Sequence, residues 1–89
     1  MLNAITTKQF KKDVKLARKR NKDLSKLRTA MEILLEGEKL PLKYLDHWLT
    51  GNYASRRECH IEPDWLLIYR PQSESIIFER TGTHSDLFK

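Results

Sequence analysis

The chain has 89 residues, of which 33% are charged, and a formal net charge of +5 at pH 7. This length allows one small domain, residues 1–89, and no second hydrophobic core. The single cysteine, Cys59, excludes an internal disulfide and a zinc site of paired cysteines. The sequence has no apolar run long enough to span a membrane, so we expect a cytoplasmic protein without membrane contacts.

The positive charge is concentrated in the first third of the chain. Residues 1–31 carry ten Lys and Arg side chains against two acidic ones, a balance of +8, whereas residues 32–89 carry seven against ten, a balance of −3. Such a segment is typical of a protein that binds a polyanion, most economically nucleic acid. A solvated lysine-rich helix would have the same composition and is the alternative interpretation.

Two amphipathic helices are predicted after a short strand over residues 2–5. The first helix begins at a predicted capping box from Thr6 to Gln9 and continues with apolar residues at helical spacing. The second helix ends where Gly37 can adopt a left-handed cap. Because the link at Asn21 is short, the two helices are predicted to form an antiparallel αα hairpin.

The second half of the chain is predicted to form strands. Residues 38–52 are interpreted as an irregular connection, after which the pattern has a period of two. The first strand of this half is predicted to place Tyr53, Cys59 and Ile61 on one face. Further strands are predicted over residues 65–70 and 76–81. The order β-α-α-β-β-β predicts an α+β fold in which the αα hairpin packs on a small, mostly antiparallel four-stranded sheet.

Five side chains near the predicted strand ends combine imidazole, carboxylate and guanidinium groups: His47, His60, Asp64, Arg80 and His84. Acid–base cleavage of a phosphodiester needs a base for the proton of the attacking hydroxyl, an acid for the departing oxygen, and positive charge near the phosphorus. Histidine suits the first two roles, because both of its protonation states are populated near neutrality. The combination predicts acid–base chemistry on a phosphodiester.

The histidines and Asp64 can be given roles. His84 follows the last strand at a turn that Gly82 frees, where it could be either a general acid or an exposed tail residue. His60 lies on the polar face of its strand, and Asp64 follows it after one tight turn. Asp64 could remove the proton itself or orient and charge His60, and it could also cap the turn. His47, in the irregular connection, has the weakest support from spacing.

Arg80 and two aromatic residues are candidates for holding the substrate. A guanidinium can bridge two phosphate oxygens and stabilise developing charge, so we interpret Arg80 as a phosphate contact. The alternative is a structural ion pair of Arg80 with Glu58 or Glu62. Trp65 and Phe88 could stack on bases. For Trp65 a place in the core is the favoured interpretation, and for Phe88 the choice stays open.

Lysines of the first helix are candidates for binding a phosphate backbone, namely Lys11, Lys12 and Lys15. Contacts of this kind supply affinity and salt dependence rather than sequence choice. The three histidines are separated by 13 and 24 residues, which leaves no close ligand pair. Neither a metal nor any other cofactor is therefore predicted.

Four segments carry a resemblance to a known family. They are Phe10-x-Lys12-Asp13-Val14-Lys15-Leu16-Ala17, Lys43-x-x-Asp46-His47-x-Leu49, His60-x-Glu62-Pro63-Asp64-Trp65-x-Leu67-Ile68-Tyr69 and Phe78-Glu79-Arg80-Thr81-Gly82-Thr83-His84-x-x-Leu87-Phe88. With these motifs the chain resembles the RelE-like toxins of bacterial toxin–antitoxin modules, and among them the YafQ type.

This resemblance implies a metal-independent endoribonuclease that cleaves mRNA in the A site of the 30S ribosomal subunit. It implies neutralisation by a cognate antitoxin, contact of the helix-one lysines with the ribosomal RNA backbone, and binding of operator DNA only through the toxin–antitoxin complex. By position, proton-transfer residues of the family match His47, His60, Asp64 and His84. The phosphate-stabilising arginine matches Arg80, and supporting aromatics match Trp65 and Phe88.

Two other functions are compatible with a chain of this kind. A ParE-like toxin of the same fold, directed at DNA gyrase, would not need clustered acid–base residues. A non-enzymatic nucleic-acid-binding protein would use its charge alone and would tolerate the loss of His84. The set of three histidines with Asp64 favours the nuclease over both.

Overall fold

The computed structural model describes residues 1–88, and Lys89 lies outside the described part. The helices and strands follow in the order β1 (Asn3–Thr6), α1 (Lys8–Lys19), α2 (Leu24–Leu35), β2 (His47–Trp48), β3 (Arg57–Glu62), β4 (Trp65–Pro71), β5 (Ser75–Gly82) and α3 (His84–Leu87). Short 3₁₀ turns at Leu42–Tyr44 and Gly51–Tyr53 flank β2. Among these residues, no helix is both long and apolar enough to cross a membrane.

The strands form one mixed sheet in the order β1-β5-β4-β3-β2. β1 runs parallel to β5, and the other neighbours are antiparallel. The predicted α+β architecture is confirmed, but the predicted number of four strands is wrong. The fifth strand is β2, which pairs with β3 inside the connection that was expected to be irregular. A strand of only two residues is too short to have a recognisable period.

α1 begins one residue later than the sequence predicts. Thr6 still pairs with Phe78 in the sheet, so Thr7 is the N-cap, and its hydroxyl accepts from the amide of Phe10 at 2.9 Å. The predicted capping box is wrong, because Gln9 is then no longer the third helical residue. Its side-chain amide donates instead to Asp13 at 3.0 Å.

Both long helices end in a left-handed residue. Asn21 has φ 61° after α1, and Gly37 has φ 78° after α2, as predicted for that glycine. The amide two residues beyond each C-cap donates back across the last turn, from Lys22 to Ala17 at 3.0 Å and from Glu38 to Ile33 at 3.2 Å. These bonds satisfy carbonyls that a helix end leaves unpaired and turn the chain between elements.

The main core lies between the two long helices and one face of the sheet. Its buried members are Phe10, Ala17, Leu27, Ala30, Leu34, Leu40, Tyr44, Cys59, Trp65, Leu67, Tyr69, Ile76 and Phe78. The other face carries only a small cluster of Leu66, Ile68 and Leu87, which Leu49 and Tyr53 cover in part. Tyr53 therefore lies in a turn and not, as predicted, on the strand face of Cys59. Since β4 is buried on both faces, its prediction as a central strand is confirmed.

Candidate active site

The sheet face opposite the helices brings the candidate residues together through its register. His47 on β2 is opposite Glu58 on β3, Glu58 is opposite Ile68 on β4, and Ile68 is opposite Arg80 on β5. Residues directly opposite in antiparallel strands project from the same face. His60 follows Glu58 by two residues and shares that face. One row of the sheet thus places side chains from four strands on one surface.

Glu58 lies between two of the histidines, and no role was predicted for it beyond a possible partner of Arg80. Its Oε1 is 3.3 Å from Nε2 of His60 and 3.7 Å from Nε2 of His47. Only 8% of its side chain is exposed, whereas half of the His47 side chain is in solvent. Burying a carboxylate without a nearby cation costs free energy. The carboxylate of Glu58 therefore favours the charged forms of the two imidazoles beside it.

Asp64 contacts His84 rather than His60. One carboxylate oxygen of Asp64 accepts from the backbone N–H of His84 at 2.9 Å and lies 2.7 Å from its Nδ1. The pKa of Asp64 is lowered, first by the backbone hydrogen bond and then by the imidazole. The predicted pairing of Asp64 with His60 is therefore wrong. The turn after β3 places Asp64 beside His84, which follows β5, whereas His60 lies within β3.

The imidazole of His60 lies close to those of both other histidines. The ring centroids of His60 and His84 are 5.8 Å apart at an interplanar angle of 63°, and those of His47 and His60 are 6.5 Å apart. Two of the histidines have a defined partner for Nδ1, since that of His47 lies 2.7 Å from the carbonyl oxygen of Leu45. The arrangement places three groups that can donate or accept protons close together.

His84 begins α3, and the preceding residues fix its place. Thr83 and Asp86 form a reciprocal capping box at the start of this short helix. Gly82 ends β5 without the left-handed backbone that was expected to require a glycine. A Cβ on Gly82 would come within 2.9 Å of Asp86 Oδ2, so glycine is required there for space.

Arg80 forms a structural ion pair, but with neither of the predicted glutamates. Its Nε donates to Asp13 of α1 at 2.8 Å, and Nη2 donates to the same carboxylate at 3.3 Å. Asp13 also accepts from the amide of Thr81 at 3.1 Å, beyond the point where β1 stops pairing with β5. The hydrogen bonds from Asp13 raise the pKa of Arg80. Arg80 is thus fixed at the sheet edge beside the histidine row.

The two candidate aromatics differ in exposure. Trp65 is 1% exposed and donates its indole N–H to Thr81 at 2.9 Å. It belongs to the core, so its prediction as a base-stacking residue is wrong, since a base cannot reach the ring. Phe88 is 40% exposed and meets the ring of Tyr53 edge-on at 5.5 Å. Phe88 thus retains a free surface for a substrate.

The side chains of Lys11, Lys12 and Lys15 are exposed on α1. Other charges near the site are neutralised, because Lys22 and Lys26 both bind Glu62, at 3.1 and 3.0 Å. This double contact holds the pKa of Glu62 below its usual range, chiefly through the Lys26 hydrogen bond.

Part of the site has the composition of a metal-binding cluster. One potential ligand atom from each of Glu58, His60 and His84 lies within 4.8 Å of the other two. The sequence did not predict this cluster, because Glu58 and His60 lie on β3 whereas His84 is 24 residues further along the chain. Imidazole and carboxylate ligands suit transition metals, and the bond from His84 to Asp64 would orient that ring toward one.

A family model and a curated relative both match this chain. The model described as "Bacterial toxin of type II toxin-antitoxin system, YafQ" matches residues 2–89. The chain is similar to the mRNA interferase toxin YafQ of Escherichia coli (strain K12), at 49% identity over 81 residues, which cover 90% of this chain and 88% of the relative.

Solved structures have the same fold. The chain matches the crystal structure of the E. coli DinJ-YafQ complex with a TM-score of 0.94 and 44% identity, and 100% of both chains is covered. It matches a metal-bound toxin from Helicobacter pylori with a TM-score of 0.92 and 39% identity over 99% of this chain and 100% of that one. These likenesses confirm the predicted RelE-like architecture.

Proposed function

The chain belongs to the YafQ family of bacterial toxins of type II toxin–antitoxin systems, and from this premise we propose that it is an mRNA interferase. In this proposal it cleaves messages in the ribosomal A site by metal-independent acid–base catalysis, with the 2′-hydroxyl of the RNA as nucleophile. It acts in the cytoplasm until a cognate antitoxin neutralises it. The observation that carries the proposal is the pair of imidazoles of His60 and His84, 5.8 Å apart, each beside its own carboxylate.

His60 is the general base in this mechanism. It is half-buried beside Glu58, and its ring centroid is 5.8 Å from that of His84, close enough for one bound nucleotide to contact both imidazoles. Asp64, the other base considered from sequence, has a lowered pKa and both of its known contacts on His84. A weakly basic, engaged carboxylate is a poor proton acceptor. Asp64 is therefore assigned to positioning the acid.

His84 is the general acid. Since Asp64 is ionised and can only accept, Nδ1 of His84 carries a hydrogen toward it. The proton that the imidazolium gives to the departing 5′-oxygen then comes from Nε2. This division of labour resembles the way a carboxylate holds one tautomer of a catalytic histidine in hydrolases.

Positive charge at the phosphate is assigned to Arg80 and His47. Arg80 is the fixed guanidinium in the row of the site, and the carboxylate of Asp13 holds it in place rather than removing its charge. His47 is exposed and lies at the end of the same row, where its Nε2 faces Glu58. Phe88 stacks on a base at the other end of the site in this proposal.

The exposed lysines Lys11, Lys12 and Lys15 are assigned to ribosomal RNA backbone. Each phosphate contact releases counterions and adds affinity that salt weakens. Operator DNA is bound only in complex with the antitoxin, whose existence is supported by the DinJ-YafQ assembly of the E. coli relative.

The two rival functions use other parts of the molecule. A gyrase-directed toxin or a pure nucleic-acid-binding protein has no need of carboxylates placed beside two histidines. The contacts at 2.7 Å between His84 and Asp64 and at 3.3 Å between His60 and Glu58 would then serve no purpose in function. Their joint presence on one face favours the nuclease.

A metal is assigned no step in the reaction, although the cluster of Glu58, His60 and His84 fits one. A metal bound there would hold both imidazoles as ligands and leave them unable to take and give protons, so it would inhibit the proposed mechanism. Zn²⁺ added to the protein should therefore slow cleavage, and removing it should restore the rate. A rate that rises with Zn²⁺ would support metal-dependent hydrolysis instead.

The function is tested by incubating the purified protein with one message, with and without ribosomes. Each reaction is repeated with o-phenanthroline, which removes transition metals and leaves the Mg²⁺ that ribosomes require. We expect cleavage with ribosomes, little cleavage of free RNA, and no effect of the chelator. Equal cutting in the absence of ribosomes would refute ribosome dependence, and activity abolished by the chelator would refute the metal-independent mechanism.

A further inference from the structure

Glu58 is the buried acidic side chain nearest the proposed chemistry, and the mechanism above gives it no step. Within residues 1–88, the cationic or potentially cationic groups within 4.0 Å of its carboxylate are the imidazoles of His47 and His60. Lysine and arginine side chains nearby are committed elsewhere: Lys22 and Lys26 bind Glu62, and Arg57 binds Asp46 at 3.2 Å. The compensation of Glu58 therefore depends on histidine.

The hydrogen of His47 is fixed by a strained residue. Leu45 has φ 50°, in the left-handed region that bulky side chains rarely adopt, and this conformation directs its carbonyl to Nδ1 of His47 at 2.7 Å. A carbonyl only accepts, so Nδ1 carries the hydrogen. Nε2, which faces Glu58 at 3.7 Å, carries a hydrogen only when the ring is charged. Glu58 thus interacts favourably with the imidazolium of His47 and unfavourably with its neutral form.

The same carboxylate selects one form of His60. Nε2 of His60 lies 3.3 Å from Oε1 of Glu58, at low dielectric, because 8% of the Glu58 side chain is exposed and 19% of that of His60. A carboxylate favours a hydrogen on the nitrogen that faces it. Nδ1 of His60 is then left with the lone pair that accepts a proton, and the resulting imidazolium has its counter-ion already in place.

We propose that Glu58 is a positioning residue that holds His60 in the Nε2–H form and stabilises the charge that His60 acquires when it takes the 2′-hydroxyl proton. The effect on the cleavage rate rests on the proposed function, but the effect on which nitrogen of His60 carries the hydrogen does not. It makes the site a pair of carboxylate–imidazole units, Glu58 with His60 for the base and Asp64 with His84 for the acid. The two carboxylates come from different elements and act through different histidines.

The test compares Glu58→Gln, a neutral side chain of the same shape, with Glu62→Gln as a matched control. Glu62 is on the same strand but binds lysines. Nitrogen-15 spectra of the histidine rings report which nitrogen of His60 carries the hydrogen, whether or not the protein cuts RNA. We expect the Nε2–H form to predominate in wild type and in Glu62→Gln, and to lose that predominance in Glu58→Gln.

Cleavage on saturating ribosomes is measured for the same proteins. Glu58→Gln should lower the single-turnover rate by about 10²-fold with little change in KM. This is less than the ~10⁴-fold loss from the corresponding change in a Ser-His-Asp triad, because Glu58 is not in a short hydrogen bond. Glu58→Asp keeps the charge and should recover part of the cleavage rate. If Glu58→Gln does not fold, Glu58→Asp is measured in its place.

Two results would overturn the proposal: a His60 spectrum unaffected by Glu58→Gln, or a rate within about twofold of wild type in that variant. A wild-type protein that cuts no RNA would refute the proposed function instead. The nitrogen spectra would then decide on their own whether Glu58 sets the form of His60.

Discussion

At the scale of the residue, few contacts hold the imidazole of His84 in place. Its ring is about half exposed, and one exposed carboxylate, that of Asp64, contacts both its backbone amide and its Nδ1. Because the two contacts come from one oxygen, they fix the ring relative to the start of α3. An acid held in this way can reach a ribosome-bound phosphate from solution without opening a pocket.

Replacing His84 should affect chemistry and leave binding almost unchanged. His84→Ala is expected to lower single-turnover cleavage on saturating ribosomes by about 10²–10⁴-fold, the usual worth of a positioned acid. Affinity for ribosomes should change little, since the imidazole contributes mainly in the transition state. Ser85→Ala, the exposed neighbour on the same helix, is the control and should cut at the wild-type rate. Near wild-type cutting by His84→Ala would remove this residue from catalysis.

Single residues were predicted from sequence where their chemistry is distinctive and missed where their surroundings decide. Histidine, asparagine at a helix end and glycine at a cap are recognisable from their type. Glu58 alternates with other polar residues and reads as part of a solvated strand face, because nothing in the sequence indicates that β2 will cover it. The predicted partner of Asp64, His60, was wrong, because a turn can direct its carboxylate to either neighbouring strand.

At the scale of the element, α3 is a single turn that carries the proposed acid, His84, and contacts outside this turn hold it in place. Asp86 accepts from the amide of Thr83 within the capping box, and Arg20 at the end of α1 donates to it at 2.7 Å. These contacts lower the pKa of Asp86 far below its ordinary value, with the Arg20 hydrogen bond as the largest cause. The bridge thus attaches the site to the helical layer.

Acid should weaken this attachment. A carboxyl whose pKa is lowered by folding stabilises the protein above the unfolded pKa of about 3.9 and loses that contribution as pH falls through the folded value. Wild type should therefore have a higher melting temperature than Asp86→Asn at pH 6, and the gap should narrow progressively below about pH 4. Melting curves of both proteins over this range check the prediction. A gap that stays constant with pH would show that the charge of Asp86 contributes no stability.

The lysines of α1 should control affinity and not the place of cleavage. Replacing Lys11, Lys12 and Lys15 together by glutamine should weaken ribosome binding and reduce the slope of log affinity against log salt by about 2–3, roughly 0.7–0.9 for each lost phosphate contact. Cleavage positions mapped on one message should not move. Lys39→Gln, an exposed lysine after α2, is the control. Unchanged affinity together with a new cleavage pattern would contradict the assignment.

The long elements were predictable, and the short ones were not. α1, α2 and β4 bury one or both faces, so their apolar residues follow a regular period. The sequence therefore predicts the bounds of these elements within one or two residues. β2 has two residues, and its existence depends on pairing with β3. The parallel pairing of β1 with β5 also depends on tertiary structure, because the sequence of a strand does not indicate which distant strand it pairs with.

At the scale of the whole molecule, the charge is divided between two functions. The basic first third forms the helices, while the later strands and α3 carry the acid–base residues. A net charge of +5 favours approach to a polyanion such as the ribosome, and an acidic antitoxin would be attracted to the same surface. In the proposed function, the protein thus combines a general attraction for RNA with a small site whose chemistry depends on two carboxylate–imidazole pairs.

The chemical nature of the fragment ends tests this mechanism most directly. Wild-type protein is allowed to cut a message on ribosomes, with o-phenanthroline present, and both ends at one cleavage site are identified. Attack by the 2′-hydroxyl predicts a 2′,3′-cyclic phosphate or 3′-phosphate on one fragment and a free 5′-hydroxyl on the other. A 5′-phosphate with a free 3′-hydroxyl would mean that water or another external nucleophile attacks the phosphorus, and it would contradict the roles assigned to His60 and His84.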